Sequence, residues 1–382
     1  MIKLVLISHF YPKHKGGIEI AAYKTALNIA DTERVTINWL AADCDDNPSE
    51  VDYIAYEPLK MFNFIERYFP FPYPLPSISA IFKLYKNIKL SDAVHIHEFI
   101  YPTSIIGFIF AKITNKTIVI TQHIGYIPYK NRVFASLLSI ANKTIGRIIL
   151  GNADAVIFIS NNVLNYFKSF IAAKNFYLQT NSVDIHNFLI YPEIKRKYLR
   201  HELNVESYNS IVLFVGRFTE KKGINKIIDF ARKYKKILWL FVGWGNIHPE
   251  QYSLANVKVI NDIDHSKMPD YYNSADYLFL PSYGEGFPLV IQEAFACGLQ
   301  VLTTTENSVA YPQAEHLIIN YDIDDLESWN YLFERIDARV HPNHHNPIDL
   351  RNFAIGHWSE EKNGDFYLSL FQELLIGKRR QS

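Results

Sequence analysis

Glu285 and Glu293 bracket Gly286-Phe287-Pro288-Leu289-Val290-Ile291-Gln292, directly behind the apolar run Tyr277-Leu278-Phe279-Leu280-Pro281-Ser282. This order reads as a buried strand, a tight turn and a new helix with a carboxylate on each side of its start. Pro288 suits a first helical position, where its missing N–H is an orphan in any case. Gly286 lets a ligand approach the main chain closely. The free N–H groups from Leu289 onward form a partly positive pocket suited to phosphate. Glu285 would repel a phosphate, so its expected role is to accept hydrogen bonds from hydroxyls attached to one. Glu293, one to two turns inside the helix, can serve a second diol. The pair points to a sugar at one end of a ligand and a ribose at the other.

Arg217 follows the strand 211–216, and Lys222 lies five residues on, just before Gly223. Two cations at a strand end supply what a leaving diphosphate needs as negative charge develops on it. Gly16-Gly17, between the first strand and a helix starting near Glu19, can present N–H groups to a phosphate. The same pair also suits a plain turn, and no complete Gly-x-Gly-x-x-Gly is present. His123 closes a buried strand. His95 and His97 alternate on another strand and share a face, with Glu98 on the opposite one and no third ligand in view, which favours a structural reading over a metal site. Asp43-Cys44-Asp45, Asp262-Ile263-Asp264 and Asp322-Ile323-Asp324 have the spacing of a metal-holding carboxylate pair. Arg217 and Lys222 can neutralise a diphosphate instead, so no metal is assigned. His341, His344 and His345 fall in a Pro/Asn loop and read as surface.

The Glu285–Glu293 run resembles the E-x7-E element of the retaining glycosyltransferases of family 4. Further stations of that family recur in order: Gly16-Gly17-Ile18-Glu19, the His123 segment, Asn181-Ser182-Val183-Asp184, and Gly216-Arg217 followed by Lys222-Gly223. The resemblance spans nearly the whole chain. It implies the GT-B fold and transfer of a hexose-type sugar, with retained configuration, from a UDP- or GDP-linked sugar to a hydroxyl of a glycan or lipid-linked acceptor in cell-surface polysaccharide or lipopolysaccharide synthesis. The nucleotide sugar is a co-substrate, and no cofactor is implied. Glu285 would hold the donor sugar, Glu293 the ribose, and Arg217 with Lys222 the diphosphate. His123 would lie near the transferred sugar and Ile263 against the base. Gly16, Gly17, Gly286, Phe287 and Leu289 would complete the donor site. Pro288 departs from the glycine of many relatives and lacks an N–H, so backbone contacts carry over best to Phe287 and Leu289. A non-catalytic nucleotide-sugar-binding partner and a related-fold epimerase or phosphorylase are the alternatives.

Such residues need strand ends to hold them. The chain of 382 residues, 48% hydrophobic, suits two domains. Short apolar runs alternate with helical patterns, first from 3–8 to 155–160 and again from 210–215 to 301–304, the rhythm of two doubly wound parallel sheets with covering helices. The expected architecture is two Rossmann-like domains facing across a cleft, with ligands at the carboxyl ends of the strands. Residues 1–195 would bind the acceptor and 196–358 the nucleotide sugar, while 359–382 form a last helix that, by the resemblance, crosses back to the first domain.

Net charge is zero, but residues 1–200 hold 22 Lys/Arg against 15 Asp/Glu and the remainder 17 against 24. Residues 58–90 interleave Phe62, Phe64, Tyr68, Phe69, Phe71, Tyr73, Phe82 and Tyr85 with Lys60, Arg67, Lys83, Lys86 and Lys89, with only Glu66 against them, and residues 129–150 add Lys130, Arg132, Lys143 and Arg147 with no acid. Basic residues beside aromatics suit the interface of an anionic membrane. They match no nucleic-acid reader, so nucleic acid is not an expected partner. Cys44 and Cys297 make no disulfide framework and fit a reducing compartment. The opening apolar run is too short and too poorly flanked for a signal peptide, and no stretch approaches a spanning helix. A cytoplasmic protein, peripheral at the inner face of the plasma membrane, is expected.

Overall fold

The computed structural model describes residues 1–14, 17–64, 73–125, 132–172, 175–205, 207–283, 288–310, 312–340 and 345–380. Its contacts divide the chain into unit 1, Met1–Ser182 with Glu360–Ser382, and unit 2, Val183–Ser359.

Unit 1 runs β1 (Ile2–Ile7), α1 (Gly17–Ala30), β2 (Val35–Leu40), β3 (Ile54–Tyr56), β4 (Met61–Phe62), β5 (Leu75–Pro76), α2 (Ile78–Leu90), β6 (Ala93–His97), α3 (Pro102–Ile113), β7 (Thr117–Gln122), α4 (Arg132–Ala141), α5 (Arg147–Gly151), β8 (Ala155–Phe158), α6 (Asn161–Lys168) and β9 (Phe176–Leu178). Seven strands form one parallel sheet in the order β3-β2-β1-β6-β7-β8-β9. Strand alternation sorts the core by face. Val5, Ile7, Val94 and Ile96 meet Leu84 and Ile88 of α2, Phe108 and Ala111 of α3, and Leu150 of α5. Leu4, Leu6, Ala93 and Val119 pack on the other side against Ala22, Ala26 and Ile29 of α1. Ser77 starts α2 by accepting from the Ala80 N–H at 3.2 Å, and Ser160 starts α6 by accepting from Val163 at 3.3 Å.

Unit 2 runs α7 (Glu193–Glu202), β10 (Ser210–Phe218), α8 (Ile224–Lys233), β11 (Ile237–Gly245), β12 (Val257–Ile260), α9 (Met268–Ser274), β13 (Tyr277–Leu280), α10 (Leu289–Ala296), β14 (Gln300–Thr304), α11 (Thr305–Ser308), β15 (Ile319–Tyr321), α12 (Leu326–Asp337) and α13 (Pro347–Trp358). Its parallel sheet has six strands in the order β12-β11-β10-β13-β14-β15. Phe230 of α8, Trp239 of β11, Phe279 of β13 and Phe333 of α12 interlock beneath it, with Phe230 and Phe333 centroids 4.8 Å apart. The chain thus forms the expected α/β architecture of two doubly wound parallel sheets.

The changeover lies at Ser182–Val183, ahead of the expected residue 195. Residues 183–190 are tied into unit 2: the Val183 N–H donates to the Trp358 carbonyl at 2.8 Å, and Arg351 of α13 donates to the carbonyls of Ile185 and Phe188. The last helix, α14 (Glu360–Arg379), belongs to unit 1. Its Tyr367, Leu370 and Phe371 pack into the α1 side of the core, and a side chain at Gly364 would overlap the Asn28 carbonyl of α1. No described helix is long and apolar enough to cross a membrane.

Candidate functional site

In each sheet the first strand is followed in chain order to one side and then the other, which leaves a switch point between β1 and β6 in unit 1 and between β10 and β13 in unit 2. A crevice opens at the carboxyl ends of the strands at such a point, because flanking connections leave in opposite directions. Arg217 and Lys222 stand at and just after the end of β10, and Leu289 and Glu293 on the helix after β13, the two strands that flank that point, while Ile263 follows the edge strand β12.

Arg217 is exposed near the end of β10, and Lys222 is half-buried in the short 3-10 turn Glu220–Lys222. Gly216 has φ +143°, and a Cβ there would meet the Lys222 stem at 4.0 Å, so the lysine lies along the strand end. Gly223 has φ +74°, and a Cβ would overlap the Pro281 carbonyl oxygen. Only glycine permits that approach without strain. The Tyr283 N–H donates to the Lys221 carbonyl at 3.2 Å, a second tie between the cationic turn and the segment after β13.

That segment is anchored from its other side. The Thr304 hydroxyl donates to the Ser282 carbonyl at 3.0 Å, and the Asn307 amide donates to the Ser282 carbonyl and hydroxyl at 3.2 and 3.1 Å. Ser282, Thr304 and Asn307 escaped the sequence reading. The usable signal was the buried-strand end Thr303-Thr304 followed at once by a short polar helix. Glu285, Gly286 and Phe287 lie outside the described residues.

Past them, α10 begins at Leu289. The expected placement of Pro288 in the first helical turn is corrected: its ψ of 122° keeps it extended, and its carbonyl already accepts from the Ile291 N–H at 3.1 Å, so it is the flanking residue. Glu293 is buried, with Oε2 accepting from the Tyr272 hydroxyl at 2.6 Å and Oε1 3.0 Å from His265 Nε2. The His265 side chain is 60% exposed, so that oxygen meets a partner that borders solvent. Burial, with the neighbouring Glu293 charge second, pushes the Tyr272 hydroxyl well above its ordinary range and keeps it a donor. Ile263, half-buried, precedes His265 by two residues and follows Asp262, whose φ of +54° turns the loop. Asp264 accepts from the Ser266 N–H at 2.8 Å, Asp43 from the Met61 N–H at 3.0 Å, and Asp324 pairs with Lys226 at 2.7 Å, so each of the three Asp-x-Asp strings has a local structural use.

In unit 1, Gly16 lies outside the described residues, and Gly17 opens α1 with open space where a Cβ would stand, no atom lying within 4 Å. Among the described residues no neighbour therefore requires glycine at 17. His123 follows β7, is 7% exposed, and its Nε2 lies 3.0 Å from His97 Nδ1. His97 thus reaches the predicted site residue across the sheet. His95 Nε2 lies 2.8 Å from the Thr121 hydroxyl, which in turn is 3.1 Å from the Tyr367 hydroxyl of α14. Burial lowers both His95 and His123 to about 3 and His97 well below its ordinary value, so all three are neutral.

Two buried carboxylates frame these histidines. Glu98, with φ +67°, accepts from the Gln122 amide and from the His123 and Ile124 N–H groups, at 3.3 and 3.1 Å for the latter two. Burial outweighs those bonds and raises it to about 7. Glu19 of α1 pairs with His9 at 2.8 Å, both almost fully buried. Burial alone would raise Glu19, but the hydrogen bond and charge of His9 hold it below the usual carboxylate range. The His9 ring stacks on Tyr101 at 3.8 Å. His9 was missed as a site residue, although it stands just past a buried strand like His123.

Comparison with known proteins matches the "Glycosyltransferase Family 4" family over residues 15–187 and "Glycosyl transferases group 1" over residues 195–318. An uncharacterized glycosyltransferase of Methanocaldococcus jannaschii, MJ1069, is 25% identical over 343 residues, covering 84% of this chain and 83% of that protein. The N,N'-diacetylbacillosaminyl-diphospho-undecaprenol alpha-1,3-N-acetylgalactosaminyltransferase of Campylobacter jejuni is 24% identical over 241 residues, 60% of this chain and 64% of its own. Among solved structures, sucrose-phosphate synthase of Thermosynechococcus elongatus superposes with TM-score 0.77 at 19% identity, covering 99% of this chain and 100% of that one. Anabaena Alr3699/HepE in complex with UDP-glucose does so with TM-score 0.70 at 16% identity, covering 98% and 100%.

Proposed function

The chain belongs to the family 4 and group 1 glycosyltransferases of the GT-B fold, and from that premise we propose that it moves a hexose-type sugar from a nucleotide diphosphate sugar to a hydroxyl of a glycan or lipid-linked acceptor, with retained configuration. The observation that carries this reading is the switch point of unit 2, where the Arg217–Lys222 turn is tied to the strand end that leads into Glu285.

In this reading Arg217 and Lys222 take the diphosphate, whose charge grows as the sugar leaves, and no metal is required for that task. Glu285 accepts from hydroxyls of the donor sugar. Glu293 offers Oε1 to the ribose once His265 moves aside, while Tyr272 holds Oε2. Gly286, Phe287 and Leu289 contribute main chain, and Ile263 covers the base. In unit 1, Gly16 and Gly17 admit a phosphate, and His123, oriented by His97, lies near the sugar. UDP is the favoured nucleotide because HepE binds UDP-glucose. The acceptor is a lipid-linked intermediate of a cell-surface polysaccharide, in line with the undecaprenol-linked substrate named for the Campylobacter relative. The protein would then work on the cytoplasmic side of the membrane that holds that lipid.

The test is a melting-point screen against UDP, GDP and ADP, followed by product analysis with the stabilising nucleotide's sugars. A ligand bound only by the folded state at a hundred times its Kd adds about 2.7 kcal/mol. UDP is expected to raise the melting point, and sugar release is expected to depend on added acceptor. No response to any nucleotide, or turnover without acceptor, would remove the transferase reading of this site.

A further inference from the structure

From residue 99 to residue 153 the chain contains no aspartate or glutamate, and from 67 to 98 only Asp92 and Glu98. Glu98 is buried, and Asp92 is engaged by the Lys3 N–H at 2.8 Å. This acid-poor stretch builds α2, α3 and α5, which all pack their apolar sides on the same face of the unit 1 sheet. Their outward sides are then the surface of that face.

Helical spacing makes this outward side apolar as well. Ala80, Leu84 and Ile88 of α2 point inward, which turns Ile78 and Phe82 outward, 75% and 71% exposed. On α3, Phe108 and Ala111 are buried while Ile109 and Ile113 are exposed, and Ile148 of α5 is 63% exposed next to buried Ile149. A water-facing helix ordinarily carries charges of both signs at such positions. Around these side chains stand Lys86, Lys89, Lys112, Lys143 and Arg147, all exposed and none in an ion pair among the described residues, whereas Lys83 of α2 is paired with Glu57 at 2.7 Å. α2 and α3 lie side by side, with Tyr85 against Phe110 at 5.3 Å and Lys116 of the α3–β7 turn donating to the Ser91 carbonyl at 2.6 Å, so their groups form one surface. A cluster of acids in this unit sits elsewhere: Glu360, Glu361, Asp365 and Glu373 all belong to α14, on the opposite face of the sheet.

We propose that the α2–α3–α5 face of unit 1 docks on a bilayer rich in anionic lipid, with the isoleucines and Phe82 entering the headgroup boundary and the lysines and arginine facing lipid phosphates. Long apolar side chains beside cations that outnumber the acids, the nearby Glu57 being already neutralised by Lys83, match such an interface in both terms that drive binding. A protein partner would meet this face with complementary acids and would bind in the absence of lipid. The proposal does not rest on the donor-site reading, since the His123 network lies on the α1 side of the sheet.

The experiment is sedimentation of the full chain with vesicles of phosphatidylcholine, and of phosphatidylcholine mixed with phosphatidylglycerol, alongside the UDP melting assay. The wild type is expected to partition onto the anionic vesicles only, and less so at high salt. Lys86→Glu with Lys89→Glu and Lys112→Glu should cut that partition by more than about tenfold. Phe82→Ser with Ile109→Ser and Ile113→Ser should cut it too, with the melting point and the UDP response of both variants unchanged. Wild type that stays in solution with anionic vesicles overturns the proposal, as do variants that bind like wild type. A chain that is dimeric without lipid, and monomeric in the serine variant with vesicle binding kept, shows a second copy of the chain as the occupant instead. UDP binding without vesicle binding sinks this proposal alone, and the reverse sinks only the donor site.

Discussion

Lys222→Ala removes an ammonium held along the end of β10 and leaves every backbone tie of that turn in place. The expected result is a loss of at least about 100-fold in turnover, the range for one group that stabilises developing charge, with an unchanged melting point. Near-normal turnover would contradict the assignment. The buried histidines yield a different prediction. His95 and His123, lowered to about 3, and His97, also lowered, stay neutral in the folded chain while the unfolded chain takes up protons below about pH 6.5. Their contribution is therefore present above that pH and lost as pH falls, by on the order of 1.4 kcal/mol per pH unit for each group. Glu98, raised to about 7, runs the opposite way, its contribution being present at low pH and lost as pH rises to about 7, but it is one group against three. Melting temperature should fall between pH 7 and 5, and less steeply in His95→Gln; a flat profile in the wild type would show that these histidines are not held neutral. Lys222 was legible in the sequence because glycines flank it at a strand end. The His9–Glu19 and His97–His123 pairs were not, because strand pairing and the docking of α1 bring together residues that no local spacing connects.

At the scale of elements, the alternation of apolar runs and helical patterns was enough to anticipate both sheets, since each buried strand must be apolar on two faces. It was not enough to place every boundary. Pro288 fits both the first turn and the residue before it, because its ring fixes φ and leaves ψ to the neighbours. The domain changeover was sought in the polar stretch around Lys195-Arg196-Lys197, yet Arg196 and Arg200 donate to the carbonyls of Asn273 and Ser274 and make that stretch part of unit 2. Gly223 provides the test of how the cationic turn is held. Gly223→Ala meets both an unfavourable φ and the Pro281 carbonyl, so it should cost about 1–3 kcal/mol and weaken nucleotide binding. Gly17→Ala has open space and should leave stability nearly unchanged. Denaturant unfolding of the two variants separates a turn that must be glycine from one that merely is.

For the whole molecule, the assignment of α14 to unit 1 decides how the chain can be cut. Removing residues from 360 onward strips Tyr367, Leu370 and Phe371 from the α1 side of the core and leaves Asn28 without its Asn363 partner. Each of those large side chains stabilises by about 1.5–3 kcal/mol when buried, so truncation should unfold unit 1 and spare unit 2. Limited proteolysis would show a protected fragment beginning near Val183; equal protection of both units would refute this. Unit 2 is one continuous stretch, whereas unit 1 is assembled from two stretches that flank it. A ribosome releasing the chain from its amino end therefore delivers everything unit 2 needs before it delivers α14. The nascent first sheet must wait, with the apolar groove for Tyr367 and Phe371 open to chaperones, until translation has passed the second.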